Sequence, residues 1–371
     1  MIRYSDWRAT RFFPGLEGLR AVAALLVVLH HARTHRFWGF LEGWNGVTLF
    51  FVLSGFLITT LALREESERG SLRWGAFMVR RCFRILPVYI ASLALYAVAM
   101  AALGVGAAHQ QSFVRAVPWY LSPFPEVPFY AHAHVVFLLA WSLGIEEKFY
   151  LLWPLLAFVL LRRHARGRLG LALILALVFQ LPIAFSSGGR ALAPYTAILA
   201  GCVLAFLLHD PRTFSVVARL GTRAGFTVGV TLLVLAQAAT HLWNPTTVGF
   251  RVASPYYYLP YSIAAALVVG SLALSARPVL TSRPLRFIGR VSYPLYLTHP
   301  LALGVVAAVI APGGAAVEVV YLAIGLALSL ALAYGLHRVV ERPLIAVGKR
   351  RAAQLGIRRR TPQAAPALVS P

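Results

Sequence analysis

Residues 16–31 read LEGLRAVAALLVVLHH, an apolar run with Glu17 and Arg20 near its start and His30 and His31 at its end. In a helix, at about 100° per residue, Arg20 and His31 are about 1100° apart, within about 20° of three full turns. The two side chains therefore share one face, about 16 Å apart along the axis. His30 points about 80° away from that line. Glu17 precedes Arg20 by one turn, at a spacing that allows the two to pair. A bilayer core is about 30 Å thick, so the segment holds a basic group at one surface and a titratable one at depth. Ionisable groups at such depth are costly and mark function by default. The stretch predicts a membrane-spanning helix with its chemistry on one face.

The composition of the 371 residues agrees, with 59% hydrophobic and 13% charged and a mean hydropathy of +0.72. A soluble domain of this size needs far less apolar sequence, so the expected fold class is an all-α polytopic membrane protein. The 35 Lys and Arg against 12 Asp and Glu read as the charge bias of cytoplasmic loops, and no nucleic-acid partner is expected. Cys82 and Cys202 have no second cysteine near them in sequence, which argues against a disulfide framework or a metal knot. The first apolar run reads as a retained span: it lacks a convincing small-residue cleavage site, and it contains His30 and His31.

About ten spans can be drawn, at residues 16–34, 45–63, 83–104, 135–161, 169–186, 191–208, 225–242, 258–276, 289–310 and 318–338. Loop charge tests that division independently. With the N-terminus in the cytoplasm, the inner segments hold Arg3, Arg8, Arg11 and Arg20, then the runs Arg64 to Arg84, Arg162 to Arg168, Arg212 to Arg223, Arg277 to Arg290 and Arg338 to Arg360. The outer segments hold only Arg33, Arg36, Arg115, Arg190 and Arg251, with Lys148 left inside a span. Both termini are therefore expected in the cytoplasm of a multi-pass protein of the cell (inner) membrane, in contact with membrane lipids. Residues 1–343 form one transmembrane domain, and the basic, Ala/Pro-rich residues 344–371 are expected to be a disordered tail.

Four further stretches carry small or polar groups into these spans. NGVTLFFVLSGFLI, residues 45–58, offers Gly46, Ser54 and Gly55 as small positions where helices approach closely. RWGAFMVRRCFRILP, residues 73–87, sets Arg80 and Arg84 one turn apart with Arg81 beside them. That cluster reads either as an anchor on anionic headgroups or as the holder of a phosphorylated ligand. AWSLGIEEKFYLLWPLL, residues 140–156, puts Glu146 and Tyr150 on one face with Trp141 and Ser142 a turn earlier. Acids within a span must face a partner or a water-filled cavity. LRFIGRVSYPLYLTHP, residues 285–300, carries Ser292, Tyr296 and His299 as a polar stripe. The outer loop 105–134 contains His109, His132 and His134, but no acidic or cysteine partner follows at ligand spacing. It is expected to be an interfacial loop or lid, and no metal site is expected.

Four stretches taken together, FFPGLEGLRAVAALLVVLHHA, GVTLFFVLSGFLI, WSLGIEEKFYLLWPL and GRVSYPLYLTHP, resemble in order and spacing the acyltransferase-3 family of membrane acyltransferases. The resemblance runs from Phe12 to about Pro343. It implies a ten-span protein that moves acyl groups, often acetyl, onto hydroxyls of cell-surface glycans, lipids or antibiotics of the macrolide kind. The family's Arg-x10-His motif maps to Arg20 and His31, and its Glu-x3-Tyr motif to Glu146 and Tyr150. Its arginine-rich entrance to the third span maps to Arg80, Arg81 and Arg84. Some relatives add a span and a soluble SGNH-type esterase domain, which this chain is expected to lack.

Acyl transfer from a thioester needs a base for the acceptor hydroxyl, donors for charge developing on the thioester oxygen, and cations for the phosphates of the donor. His31 suits the first role, because a histidine titrates near neutrality. Tyr150, Ser54 and Ser142 suit the second, with Glu146 beside them. Arg20, Arg80, Arg81 and Arg84 suit the third, and Glu17, Tyr296 and His299 are supporting candidates. No bound cofactor is expected; acyl-CoA is the co-substrate, entering from the cytoplasm to meet the acceptor near His31. In a variant of this scheme His31 is itself acylated before transfer.

The rival reading is a proton-coupled transporter or flippase, since His and Glu within spans also relay protons. The lack of repeat halves and of paired, broken spans weighs against it. A structural scaffold leaves the cost of burying Glu146 and His31 unexplained. Coenzyme A discriminates: a protein that neither binds nor hydrolyses acetyl-CoA favours the transport reading. Single cysteines near His109 and Trp243 are expected to react with an impermeant maleimide from outside, and those near Arg166 and Arg286 only from inside. One reversed probe requires the spans on either side of it to be redrawn.

Overall fold

A computed structural model describes residues 2–34, 39–102, 106–131, 135–180, 192–243 and 255–357. In chain order the helices are α1 (Tyr4–Ala9), α2 (Pro14–His31), α3 (Asn45–Arg69), α4 (Trp74–Ala102), α5 (Ala107–Tyr120), α6 (Val127–Ala131), α7 (Ala140–Pro154) and α8 (Ala165–Val178). They continue with α9 (Ala193–His209), α10 (Pro211–Val217), α11 (Arg223–Trp243), α12 (Pro255–Leu274), α13 (Arg283–Arg290), α14 (Ser292–Val309), α15 (Ala315–Leu336) and α16 (Arg342–Ile357). No strand occurs among the described residues. A π-helical turn, Leu155–Leu160, prolongs α7, and another, His337–Glu341, joins α15 to α16.

Local signals account for several boundaries. Pro14 opens α2, where its missing N–H costs nothing and its fixed φ suits the first turn. Gly70 ends α3 in the left-handed conformation, at φ 73°, which a glycine adopts without a Cβ penalty.

Each of the ten segments expected to span contains a helix. Five helices among the described residues are long and apolar enough to cross a membrane by length and composition: Gly39–Arg69, Trp74–Ala102, Arg223–Thr240, Ser292–Val309 and Ala315–Leu355. The bent pair Ala193–His209 and Pro211–Gly221 makes up to six. The helix α2 is not among them, and the reason is chemical. Glu17, Arg20, His30 and His31 lower the hydropathy of its 18 residues. Likewise α7 is 15 residues long and carries Glu146, Glu147 and Lys148.

The loops assigned to the inside gather at one end of the bundle. Arg8 bonds Ser67 and Arg11 pairs with Glu68. Arg168 holds Glu66 through two N–H groups, at 2.6 and 2.8 Å. Arg162 donates to the carbonyl of Gly70 at 3.0 Å, and Tyr4 to that of His209 at 2.6 Å. Arg277 donates to the carbonyls of Gly221 and Thr222, at 3.0 and 2.7 Å. Two loops assigned to the outside meet elsewhere: Arg33 bonds the carbonyls of Ile310 and Ala311 and pairs with Glu318 at 3.0 Å.

One expectation needs correction. Residues 344–357 are not a disordered tail: α16 runs through them, with Gly348 seated against Phe83 of α4 and Ala352 buried. The small residues of that face let a basic segment pack as a helix. Residues 358–371, with Arg358 to Arg360, lie outside the described residues. Within residues 105–134, α5 buries Phe113, Ala116 and Tyr120, at helical spacing, on one side. His132 and His134 lie outside the described residues.

The most extensive helix pair is α3 with α9. A Cβ at Gly55 would run into the carbonyl of Ile198, and one at Gly201 into that of Val52, so each helix admits the backbone of the other. Without a hydrophobic driving force between helices in lipid, such backbone proximity is what gives them their packing energy. Gly55→Leu is therefore expected to lower the unfolding temperature of the solubilised protein sharply, since overpacking costs about 1–3 kcal/mol even where side chains can yield. Gly75, with nothing within 4 Å of an added Cβ, is the control. Equal unfolding temperatures for Gly55→Leu and Gly75→Leu would contradict this packing.

Candidate active site

A cavity of about 320 Å³ lies among α2, α3, α4, α7 and α14. It runs from the exposed Arg11 and Phe12 to the buried Ser142 and Tyr296. Its wall on α3 is read off the helical period: Val47, Phe50, Ser54, Leu57, Leu61 and Arg64 recur every three or four residues. Arg20 and Glu17 come from α2, Arg81 and Arg84 from α4, Glu146 and Tyr150 from α7, and Ser292 and Tyr293 from α14. Five arginines thus line one space together with one pair of acids, Glu17 and Glu146.

The acid and tyrosine of α7 close a triangle with Ser54. Ser54 Oγ donates to Glu146 Oε1 at 3.0 Å, and Tyr150 OH to Glu146 Oε2 at 2.5 Å. Tyr150 OH and Ser54 Oγ are themselves 2.9 Å apart. Two hydroxyl protons serve three sides, so a carboxylate that accepts both leaves the tyrosine–serine side without one. Arg81 lies over the Tyr150 ring, its guanidinium carbon 5.7 Å from the centroid. Farther along the cavity, Ser142 Oγ and Tyr296 OH are 2.7 Å apart. Ser142 also bonds the carbonyl of Leu139 at 3.3 Å, which leaves its hydroxyl committed to the protein.

The partners of three expected residues differ from those inferred from spacing. Glu17 is not paired with Arg20 but with Arg286 of α13, at 3.4 Å. Gly289 makes this possible by letting α13 press against the backbone of Glu17. Arg20 Nε instead donates to Ser292 Oγ at 3.2 Å, and its guanidinium lies within electrostatic reach of Arg84, Glu341 and Glu146. Arg80 does not line the cavity; Glu65 holds it at 2.6 Å. Lys148, left inside a span by the charge count, is matched by Glu126 at 2.7 Å.

His31 does not line the cavity. Its ring packs on that of His299, with centroids 5.1 Å apart and planes inclined 64°. Tyr296, which does line the cavity, is 6.3 Å from His299. Arg20 and His31 both face α14, the one at Ser292 and the other at His299, as residues sharing a helix face do. His31 Nδ1 is 2.8 Å from the carbonyl of Val27. A carbonyl only accepts, so Nδ1 carries the hydrogen and the neutral ring keeps its lone pair on Nε2.

Arg11 and Arg64 were not singled out from sequence. Arg64 is buried, donates to the carbonyl of Trp7 at 3.3 Å, and sits over the Trp7 and Phe13 rings. The signal was present: Arg64 continues the stripe through Ser54, but it reads as loop charge until α1 is known to cover it. Among the described residues no group of three or more His, Cys, Asp or Glu is placed to hold a metal ion. Because the Ser54–Glu146–Tyr150 triangle is closed, Ser54→Ala and Tyr150→Phe are expected to be non-additive in unfolding free energy, by about 0.5–3 kcal/mol. An additive double-mutant cycle would show that the three groups do not act together.

The chain is 28% identical over 370 residues to an inferred O-acetyltransferase of Staphylococcus aureus, covering 92% of this chain and 58% of that protein. It is 28% identical over 316 residues to the peptidoglycan O-acetyltransferase of Listeria monocytogenes, covering 78% and 49%. A Bacillus subtilis protein, an inferred peptidoglycan O-acetyltransferase, is 29% identical over 325 residues, covering 80% and 49%. The chain spans about half the length of these relatives. No solved structure matches it. The family described as an acyltransferase domain matches residues 13–338, nearly the whole of the bundle around the cavity, and the chain belongs to that family.

Proposed function

We propose that this chain is an integral-membrane O-acyltransferase that moves an acetyl group from acyl-CoA to a hydroxyl of a cell-envelope glycan, with His31 as general base. The observation that carries the reading is the lining of one cavity, in which arginines share the space with the Ser54–Glu146–Tyr150 hydroxyls and carboxylate, with His31 packed on His299 next to the lining residue Tyr296. Ten spans with both termini in the cytoplasm complete the reading. The gathering of the arginine-rich loops at one end supports it, since positive loops stay inside. On that orientation the exposed Arg11 and Phe12 mark a cytoplasmic mouth, the side on which acyl-CoA is made.

The residues then divide the work. Arg20, Arg81 and Arg84, with Arg11 and Arg64, hold phosphate groups, for which the planar guanidinium offers paired donors. Ser54 and Tyr150, oriented by Glu146, present hydroxyls inside the cavity, where charge on a thioester oxygen would develop. His31 holds a lone pair on Nε2, because Val27 claims its Nδ1 hydrogen, and that nitrogen takes the proton of the acceptor hydroxyl. The relatives from Listeria and Bacillus are named for peptidoglycan, which makes a glycan hydroxyl the acceptor to test first.

Purified full-length protein in nanodiscs, given radiolabelled acetyl-CoA and a chitooligosaccharide, is expected to label the sugar. His31→Ala should reduce that rate by about 10²–10⁴-fold, the loss typical of a general base, with insertion into the membrane unchanged. His30→Ala, off the Arg20 face, should stay within a few-fold of wild type. A His31→Ala rate near wild type removes the base from this scheme, and a wild-type protein that neither binds nor cleaves acetyl-CoA points to transport instead.

A further inference from the structure

The helices give the cavity wall an order. On α3 the lining stripe runs from Val47 and Phe50 through Ser54, Leu57 and Leu61 to Arg64, about 25 Å at 1.5 Å per residue. α7 runs beside it in the same direction: Glu146 meets Ser54, and farther on Trp153 Nε1 donates to Thr59 Oγ1 at 2.9 Å. Ser142, one turn before Glu146, therefore stands level with Phe50, one turn before Ser54. α2 runs the opposite way, with Phe13 under Arg64 and Ala23 on Gly46.

Charge is confined to one part of that order. Arg64 ends the stripe, with Arg11 within its electrostatic reach. Arg81 sits over the Tyr150 ring, and the Arg20 guanidinium has Arg84, Tyr150 and Glu146 as electrostatic neighbours. Glu17 lies from Arg20 toward Phe13, and so toward Arg64. The charged side chains of the wall thus belong to the stretch from Ser54 to Arg64.

On the other side of Ser54 the wall carries Val47, Phe50, Leu143, Ser142 and Tyr296. The two hydroxyls there answer each other at 2.7 Å, so what this part offers a guest is hydrocarbon. The Phe50 and Tyr296 rings meet edge to face, with centroids 6.1 Å apart. Ser142, bonded also to the carbonyl of Leu139, fixes the tyrosine. Just past Val47 the backbones of α2 and α3 meet, since a Cβ on Gly46 would run into the carbonyl of Ala23.

An acyl-CoA has the same polarity, with anionic phosphates at one end and an alkyl chain at the other. We propose that the apolar part of the cavity holds the acyl group, and that Phe50, packed on Tyr296, gauges its length. An acetyl group fits, and a longer chain meets the ring. The proposal rests on the acyl-transfer reading and names its donor class as short-chain acyl-CoA. Phe50 moves no proton; it discriminates by contact with the end of the chain.

The test uses the full chain in nanodiscs, with chitotetraose as acceptor and acetyl-CoA or butyryl-CoA as donor. Misfit by one methylene in an apolar pocket lowers kcat/KM by about 10- to 200-fold, so the wild type is expected to favour acetyl-CoA by about 10-fold or more. Phe50→Ala removes the ring and should raise the butyryl-to-acetyl ratio of kcat/KM by a factor in that same range. Val47→Ala, one turn away, should move the ratio in the same direction by less, and it carries the comparison if Phe50→Ala fails to insert. Leu57→Ala truncates the same wall in its charged part and should leave the ratio unchanged. A wild type that uses both donors equally, a ratio unmoved by opening the apolar end, or one moved as far by Leu57→Ala overturns the gauge and leaves acyl transfer standing. A wild type that transfers neither acyl group removes the acyl-transfer reading, and the gauge with it.

Discussion

A carboxylate carried into the middle of a helical bundle costs several kcal/mol unless protein groups replace the water it has lost. Glu146 is that carboxylate, and much of the arrangement around the cavity follows from satisfying it. Ser54 and Tyr150 give it hydrogen bonds from α3 and from the next turn of α7. Arg20 and Arg81 bring positive charge from α2 and α4. Four helices are thereby tied to one side chain. Because cations exceed acids on the cavity wall, the space is suited to an anionic guest more than to a closed ion pair.

The helix that makes this possible is α3. At its N-terminal end Asn45 bonds Gln237 of α11, and Gly46 admits the backbone of Ala23 from α2. In its middle Ser54 faces the cavity while the adjacent Gly55 presses on α9. Toward its C-terminal end Arg64 is covered by Trp7 and Phe13. One helix therefore buries nearly every face, and its small residues set the distances at which its neighbours stand. The geometry at Glu146 depends on that close packing, since interiors at crystal-like density do not yield by fractions of an ångström without cost.

The bundle also separates two polar regions. The arginines and the Glu146 triangle share a cavity, whereas His31 and His299 lie past Tyr296. Along the axis of α2 the two regions are about 16 Å apart, from Arg20 to His31.

What the sequence determined by itself was local. Apolar length, loop charge and helical period placed ten helical segments, and the 3.6-residue repeat put Arg20 with His31, and Glu146 with Tyr150, on common faces. Both pairs do share a direction in the fold: Arg20 and His31 toward α14, Glu146 and Tyr150 toward Ser54. Spacing within one helix says nothing of which other helix comes to meet that face. So Glu17 was matched with its neighbour Arg20, while Arg286, far away in sequence, reaches it because Gly289 lets α13 come close. Arg80 was grouped with Arg81 and Arg84, yet Glu65 holds it outside the cavity. The basic segment after residue 343 read as disordered because its charge showed in the sequence, and the groove against Phe83 that orders Gly348 did not. Only the tertiary structure decided these partners, because burial of a charge is settled by whichever complementary group the whole packing brings within a few ångströms.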